Sequence, residues 1–181
     1  MVTNVADHPT QVHADASNFA EAVTKEQAYQ QVLEQVEGLF FEQRNWVCIC
    51  LRILNLSNAA SLLWHAYKSL PSPSNQVNWA GYIRHDQQGK VACQQIAFGR
   101  GVCGTAAATK QTQLVGDVHA FPGHIACDGA SASEIVVPIV VADSVVAIID
   151  IDCSVADGFD ETDRVWLERL GAVIGKGCDW P

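Results

Sequence analysis

The sequence predicts an α+β domain, with a central antiparallel sheet and N- and C-terminal helices grouped on one face. Helical periodicity opens and closes the chain, from Thr24 and again from Asp160. Between them the period changes to short β-rich runs separated by Gly, Pro and Asp. Two of those runs, SEIVVPIVV and SVVAIIDID, stand on either side of an Ala-Asp-Ser turn.

Residues 1–18 are polar with scattered small residues and are expected to be a flexible segment, leaving 19–181 as a single domain. Thr24 can cap a first helix in which Ala28, Val32, Val36, Leu39 and Phe40 recur on one side, while Lys25, Glu26, Glu34 and Glu37 stay in water. Asn58–Trp64 reads as a second helix. CICLRIL before it is apolar and β-branched, and its pattern does not choose between helix and strand. Pro71 and Pro73 mark a loop, VNWAGYI a strand, DQQG a turn and KVACQQIAF a further strand. GRGVCGTAAATK is a Gly-bracketed turn running into an Ala-rich helix, QLVGDV a short strand, and HAFPGHIACDGASAS a long loop. The last helix, capped by Asp160, carries an apolar side through Val165, Trp166, Leu170 and Val173.

With 181 residues, 49% hydrophobic and 17% charged, the chain has enough apolar material for a core of its own. A net charge of −9 with no Lys/Arg cluster disfavours nucleic acid and anionic membrane surfaces as partners. No apolar run reaches the roughly 18 residues of a spanning helix. MVTNVADHPTQVHADAS lacks the basic and apolar regions of a secretory signal, so a cytoplasmic location is expected. There, seven cysteines are an odd set of thiols rather than a disulfide framework.

Cys93, Cys103 and Cys127 fall in three different local settings: KVACQQI, GRGVCGTA and FPGHIACDGAS. A nucleophilic thiol with one or two others able to resolve it is the equipment of thiol-based reduction. Three buried structural cysteines are the competing reading of the same residues. Glu134 follows, and Asp150 and Asp152, two apart on a strand, share a face directly after an apolar run. Facing carboxylates suit an ammonium group or proton donation, because they raise one another's pKa. Strand-end surface acids remain the plainer alternative. His119, His124, Cys103 and Cys127 match no close-paired zinc spacing, so no metal is expected. GRGVCG lacks the Lys-Ser/Thr of a phosphate loop.

GRGVCGTA, then DVHAFPGHIACDGASASEIVVPI, then IIDID occur in an order that resembles the free methionine-(R)-sulfoxide reductases, a family built on a GAF domain. The resemblance runs from about Asn78 to Trp166. Where family members usually read Trp-Ala-Gly-Phe-Tyr, this chain has Tyr82 and Ile83 after Trp79-Ala80-Gly81, and IRHDQQGK makes a short hairpin.

The resemblance implies a GAF-like fold and an oxidoreductase acting on a sulfur group with a disulfide as acceptor. Its substrate would be free L-methionine-(R)-S-oxide. It implies Cys127 as nucleophile, in keeping with a Gly/Pro-bounded loop that suits a reactive group. Cys93 is the preferred resolving thiol, with Cys103 a second candidate. It further implies Glu134, Asp150 and Asp152 as holders of the substrate's polar groups, one of them donating a proton, and Trp79 against the methyl-sulfur end. It implies no bound cofactor. Thioredoxin would be the reductant, drawing on NADPH through thioredoxin reductase, and the helix from Thr24 is a candidate homodimer surface. The alternative is a non-catalytic GAF domain that senses a small ligand or redox state.

Overall fold

Four strands form one sheet, antiparallel throughout, in the order β1-β4-β3-β2. They are β1 (Val77–Arg84), β2 (Gln113–Val115), β3 (Ser133–Val141) and β4 (Ser144–Cys153). The helices are α1 (Lys25–Phe40), α2 (Ile49–Ser69), α3 (Gly101–Thr109) and α4 (Glu161–Gly177). This computed structural model describes residues 23–41, 49–84, 96–126 and 129–180, with side chains for all of them except 49–54 and 82–84. The expected flexible segment 1–18, the DQQG turn, Cys93 with most of its expected strand, and Cys127 lie outside the described residues. Ile96–Phe98, the end of that expected strand, are not in a ladder and lead into a turn.

The predicted α+β architecture is borne out, and the alternation along β3 and β4 explains its layers. Ile135, Val137 and Ile139 join Ile149 and Ile151 in a core with α1, α2 and α4. Their neighbours point the other way, where Val136 and Ile148 pack against Val102, Cys103 and Ala106 of α3. A period of two divides one sequence run between two cores. The hairpin joining β3 to β4 turns through Ala142 and Asp143, both at positive φ, as a two-residue turn compatible with strand twist requires.

Caps set the helix starts. Thr24 Oγ1 accepts from the Gln27 backbone N–H while the Gln27 side chain accepts from the Thr24 N–H, a reciprocal capping box. Asp160 caps α4 through the N–H groups of Thr162 and Asp163. From Ile49 onward CICLRIL is helix, as the start of α2. The buried stripe of α4 is Leu167, Leu170, Gly171 and Ile174, whereas Val165 is exposed. Asp163 sets that phase, because it too faces inward.

Asp163 anchors a polar knot inside the helix layer. Its Oδ1 lies 2.8 Å from the Tyr29 hydroxyl and 3.1 Å from that of Tyr67, the two hydroxyls also meet, and their two protons serve two of these three contacts at a time. Its Oδ2 meets Lys25 Nζ at 2.7 Å, and Lys25 also reaches Asp160 at 2.9 Å. The first and last helices are thus tied together where each begins. No helix among the described residues is long and apolar enough to cross a membrane.

Candidate active site

The face of the sheet turned away from α1, α2 and α4 carries the acids. Strand pairing sets Trp79 opposite Asp152, and Asp152 opposite Glu134 on its other side, so the three form one row across β1, β4 and β3. The next row is Gly81, Asp150 and Val136. Glu134, Asp150 and Asp152 are 5%, 2% and 6% exposed. These are therefore not surface acids, and burying them is costly unless a ligand or a proton offsets the charge.

Trp79 lies folded along its own strand over Gly81. A Cβ built at Gly81 would stand 2.8 Å from the indole Cζ2, so only glycine leaves the ring this position. The indole is thereby held beside Asp150, the cross-strand partner of Gly81. Its Nε1–H is buried with no hydrogen-bond partner among the described residues.

Cys103 comes from the other side, on the first turn of α3. Gly104 brings this helix against the preceding turn, since a Cβ there would lie 2.3 Å from the Ala97 carbonyl oxygen. The Cys103 thiol donates to Glu134 Oε1 at 3.5 Å. Glu134 Oε2 faces His124 Nε2 at 3.7 Å. Burial, and His119 nearby, hold His124 below its ordinary pKa, so it is neutral near pH 7 and this contact is not an ion pair at that pH.

The carboxyl groups are strongly perturbed. Burial, and next the charge of Asp152, raise Glu134 to about 7. Burial, and then Glu134 and Asp152, lift Asp150 well above the carboxylate range. Asp150 is the group that keeps its proton, and it shares a hydrogen bond with Glu134. Its Oδ1 has no hydrogen-bond partner among the described residues.

Cys103, His124, Ile125, Glu134, Asp150 and Asp152 line one pocket with about 10 Å³ of free space, the room of roughly one water. An amino acid therefore enters only if part of the wall moves. Of the residues singled out from sequence, Cys103, Glu134, Asp150 and Asp152 meet here, and Trp79 stands beside them in the sheet. Cys93 and Cys127 lie outside the described residues. His119, a member of the imagined zinc set, is exposed. Ser131, buried and pocket-lining, had no signal in the sequence, and His124 had only its place in the Cys127 loop.

The fold and this acid-lined pocket define a class, and the GAF domain family model matches residues 22–177. A free methionine-R-sulfoxide reductase of Saccharomyces cerevisiae is 51% identical over 92% of this chain and 94% of its own. Among solved structures, a GAF domain superposes with TM-score 0.81 at 48% identity, covering 96% of this chain and all of the other. A free methionine-R-sulfoxide reductase from Neisseria meningitidis, solved in complex with its substrate, gives TM-score 0.73 at 35% identity over 87% of this chain and 92% of that one. The chain belongs to the free methionine-R-sulfoxide reductase family of GAF domains.

Proposed function

We propose that this protein reduces free L-methionine-(R)-S-oxide to L-methionine. The observation that carries the reading is the buried cluster of three carboxyl groups on one sheet face with the thiol of α3 set against them, in a chain 51% identical to a relative named for this activity. The working unit is the domain 19–181, acting in the reducing cytoplasm.

In this mechanism the Cys127 thiolate attacks the sulfoxide sulfur while an acid of the cluster protonates the oxygen. The attack forms an Sγ–S bond and the protonated oxygen departs as water. A water then attacks the Cys127 Sγ, the Sγ–S bond breaks, methionine leaves, and Cys127 is left as a sulfenic acid. The thiol of Cys93, with Cys103 as the second candidate, displaces that oxygen as water and forms a disulfide. Thioredoxin dithiol then reduces the disulfide, and NADPH restores thioredoxin through its reductase. Glu134, Asp150 and Asp152 hold the polar groups of the amino acid, and the proton on Asp150 supports it as the donor. The indole of Trp79 packs against the methyl-sulfur end. A homodimer through α1 belongs to the same reading.

One observation favours a second division of roles. The Cys103 thiol already donates to Glu134, a carboxyl group titrating near neutrality and so able to take its proton. Cys103 is then the attacking thiol and Cys127 a resolving one. A single-turnover experiment tests both. Pre-reduced protein mixed with the free R-sulfoxide should release one methionine per chain with loss of two thiols, and a sulfenic-acid trap identifies the attacking cysteine. Absence of methionine release from folded, reduced protein contradicts the proposal.

A further inference from the structure

In the reduced pocket three donor atoms converge as metal ligands do. The Sγ of Cys103 and a carboxylate oxygen from each of Glu134 and Asp150 all lie within 4.8 Å of one another. The Sγ to Oε1 separation is 3.5 Å. A tetrahedral ion with a thiolate at about 2.3 Å and a carboxylate oxygen at about 2.0 Å puts those two atoms about 3.5 Å apart.

We propose that the reduced pocket binds a thiophilic divalent cation, with Zn²⁺ as its representative, through Cys103, Glu134 and Asp150, leaving the fourth position to water. Two further observations point to an ion. Asp150 is 2% exposed, lines the pocket, and has one oxygen without a partner among the described residues. The free space of about 10 Å³ suits one ion or water and is too small for a larger ligand.

Ligand chemistry selects the metal. One thiolate with two carboxylates is a borderline-soft set for a four-coordinate ion, whereas Mg²⁺ and Ca²⁺ require six or more oxygens. Binding displaces the proton of the thiol and any held by the two carboxyl groups, and no electrons change hands. An ion held here caps the Cys103 sulfur and fills the pocket. Its consequence, exclusion of substrate, rests on the reaction proposed above, but binding itself does not.

The test uses the full chain, pre-reduced and free of substrate, with Cys48→Ser and Cys50→Ser removing the closely spaced Cys-x-Cys of CICLRIL as a competing ligand pair. Zn²⁺ is titrated against a chromophoric chelator, and Co²⁺ serves as the spectroscopic probe. One ion per chain is expected, and bound Co²⁺ should show thiolate charge transfer with a tetrahedral pattern. Cys103→Ser and Asp150→Asn should each weaken binding at least tenfold, while Cys178→Ser leaves it unchanged. Should Cys103→Ser not fold, the Co²⁺ spectrum of the parent and the Glu134→Gln titration decide. Lack of stoichiometric binding, a Co²⁺ spectrum without thiolate character, or unweakened binding in Cys103→Ser overturns the assignment. Because no substrate is present, that failure is distinct from failure of the proposed reaction.

Discussion

Cys103 and Glu134, 31 residues apart in sequence, meet through a thiol-to-carboxylate hydrogen bond of 3.5 Å that joins α3 to the sheet. This contact closes one side of the pocket and sets a thiol against the acid cluster of the strand face. The alignment of α3 that makes it possible rests on Gly104.

Gly104→Ala forces a methyl group to within 2.3 Å of a backbone oxygen, an atom that cannot swing aside. The helix must shift, at a cost of about 1–3 kcal/mol for overpacking. Urea denaturation should show that loss, and Cys103 should change its rate of modification by a thiol reagent. A stability and thiol reactivity equal to the parent's contradict the packing described.

Gly81→Ala displaces the Trp79 indole. If that ring packs against the substrate, kcat/KM for the sulfoxide falls by about tenfold or more, equivalent to about 1.4 kcal/mol of lost interaction. Steady-state kinetics measure this directly. An unchanged kcat/KM would remove Trp79 from the substrate-binding role.

The carboxyl cluster makes stability depend on pH. Glu134 has its folded pKa raised to about 7, so between its ordinary value and 7 the folded state holds the extra proton. Stability from this group is fully present below its unfolded pKa and is lost as pH rises through 7, a difference on the order of 3 kcal/mol. Asp150, raised well above its ordinary value by burial and then by Glu134 and Asp152, acts in the same direction. Melting temperature should rise as pH falls from about 8 to 5, and Glu134→Gln should flatten the profile relative to the parent. Parallel profiles for the two proteins contradict the assignment.

Lys25 is the cation that balances Asp163, whose side chain is fully buried. Lys25→Met leaves that carboxylate with the Asp160 backbone N–H and the tyrosine hydroxyls but no positive charge. The expected loss is about 3–5 kcal/mol, the usual cost of breaking a buried pair from one side. Adding Asp163→Asn should recover part of it, so the double variant is less destabilised than the sum. Full additivity in chemical denaturation would separate the two residues.

Much of this architecture was legible because period-two alternation and capping are local signals. SEIVVPIVV and SVVAIIDID revealed a hairpin, and IIDID put two acids on one face after an apolar run. What stayed hidden depends on distant partners. Tyr29 and Tyr67 meet Asp163 across 134 and 96 residues, and each alone reads as an ordinary amphipathic-helix position. CICLRIL has one charged residue, Arg52, among β-branched and other apolar ones, too short a pattern to fix a period, so the helical state of Ile49 onward shows only where α2 carries it. In α4, Leu170 is buried and Trp166 and Val173 pack against the core as expected, Val165 alone of the four being exposed, while the inward-facing Asp163 goes against the rule that acids face water. The Trp79–Asp152–Glu134 row required strand register, which no single run contains.

The most direct measurement of the central claim is thioredoxin-coupled NADPH oxidation with free L-methionine-(R)-S-oxide, set beside the S epimer and a peptide-bound sulfoxide. Turnover of the free R epimer alone, abolished in Cys127→Ser and limited to a single cycle in Cys93→Ser, is the predicted result. No NADPH oxidation by folded, pre-reduced protein, or equal rates with all three sulfoxides, would contradict it.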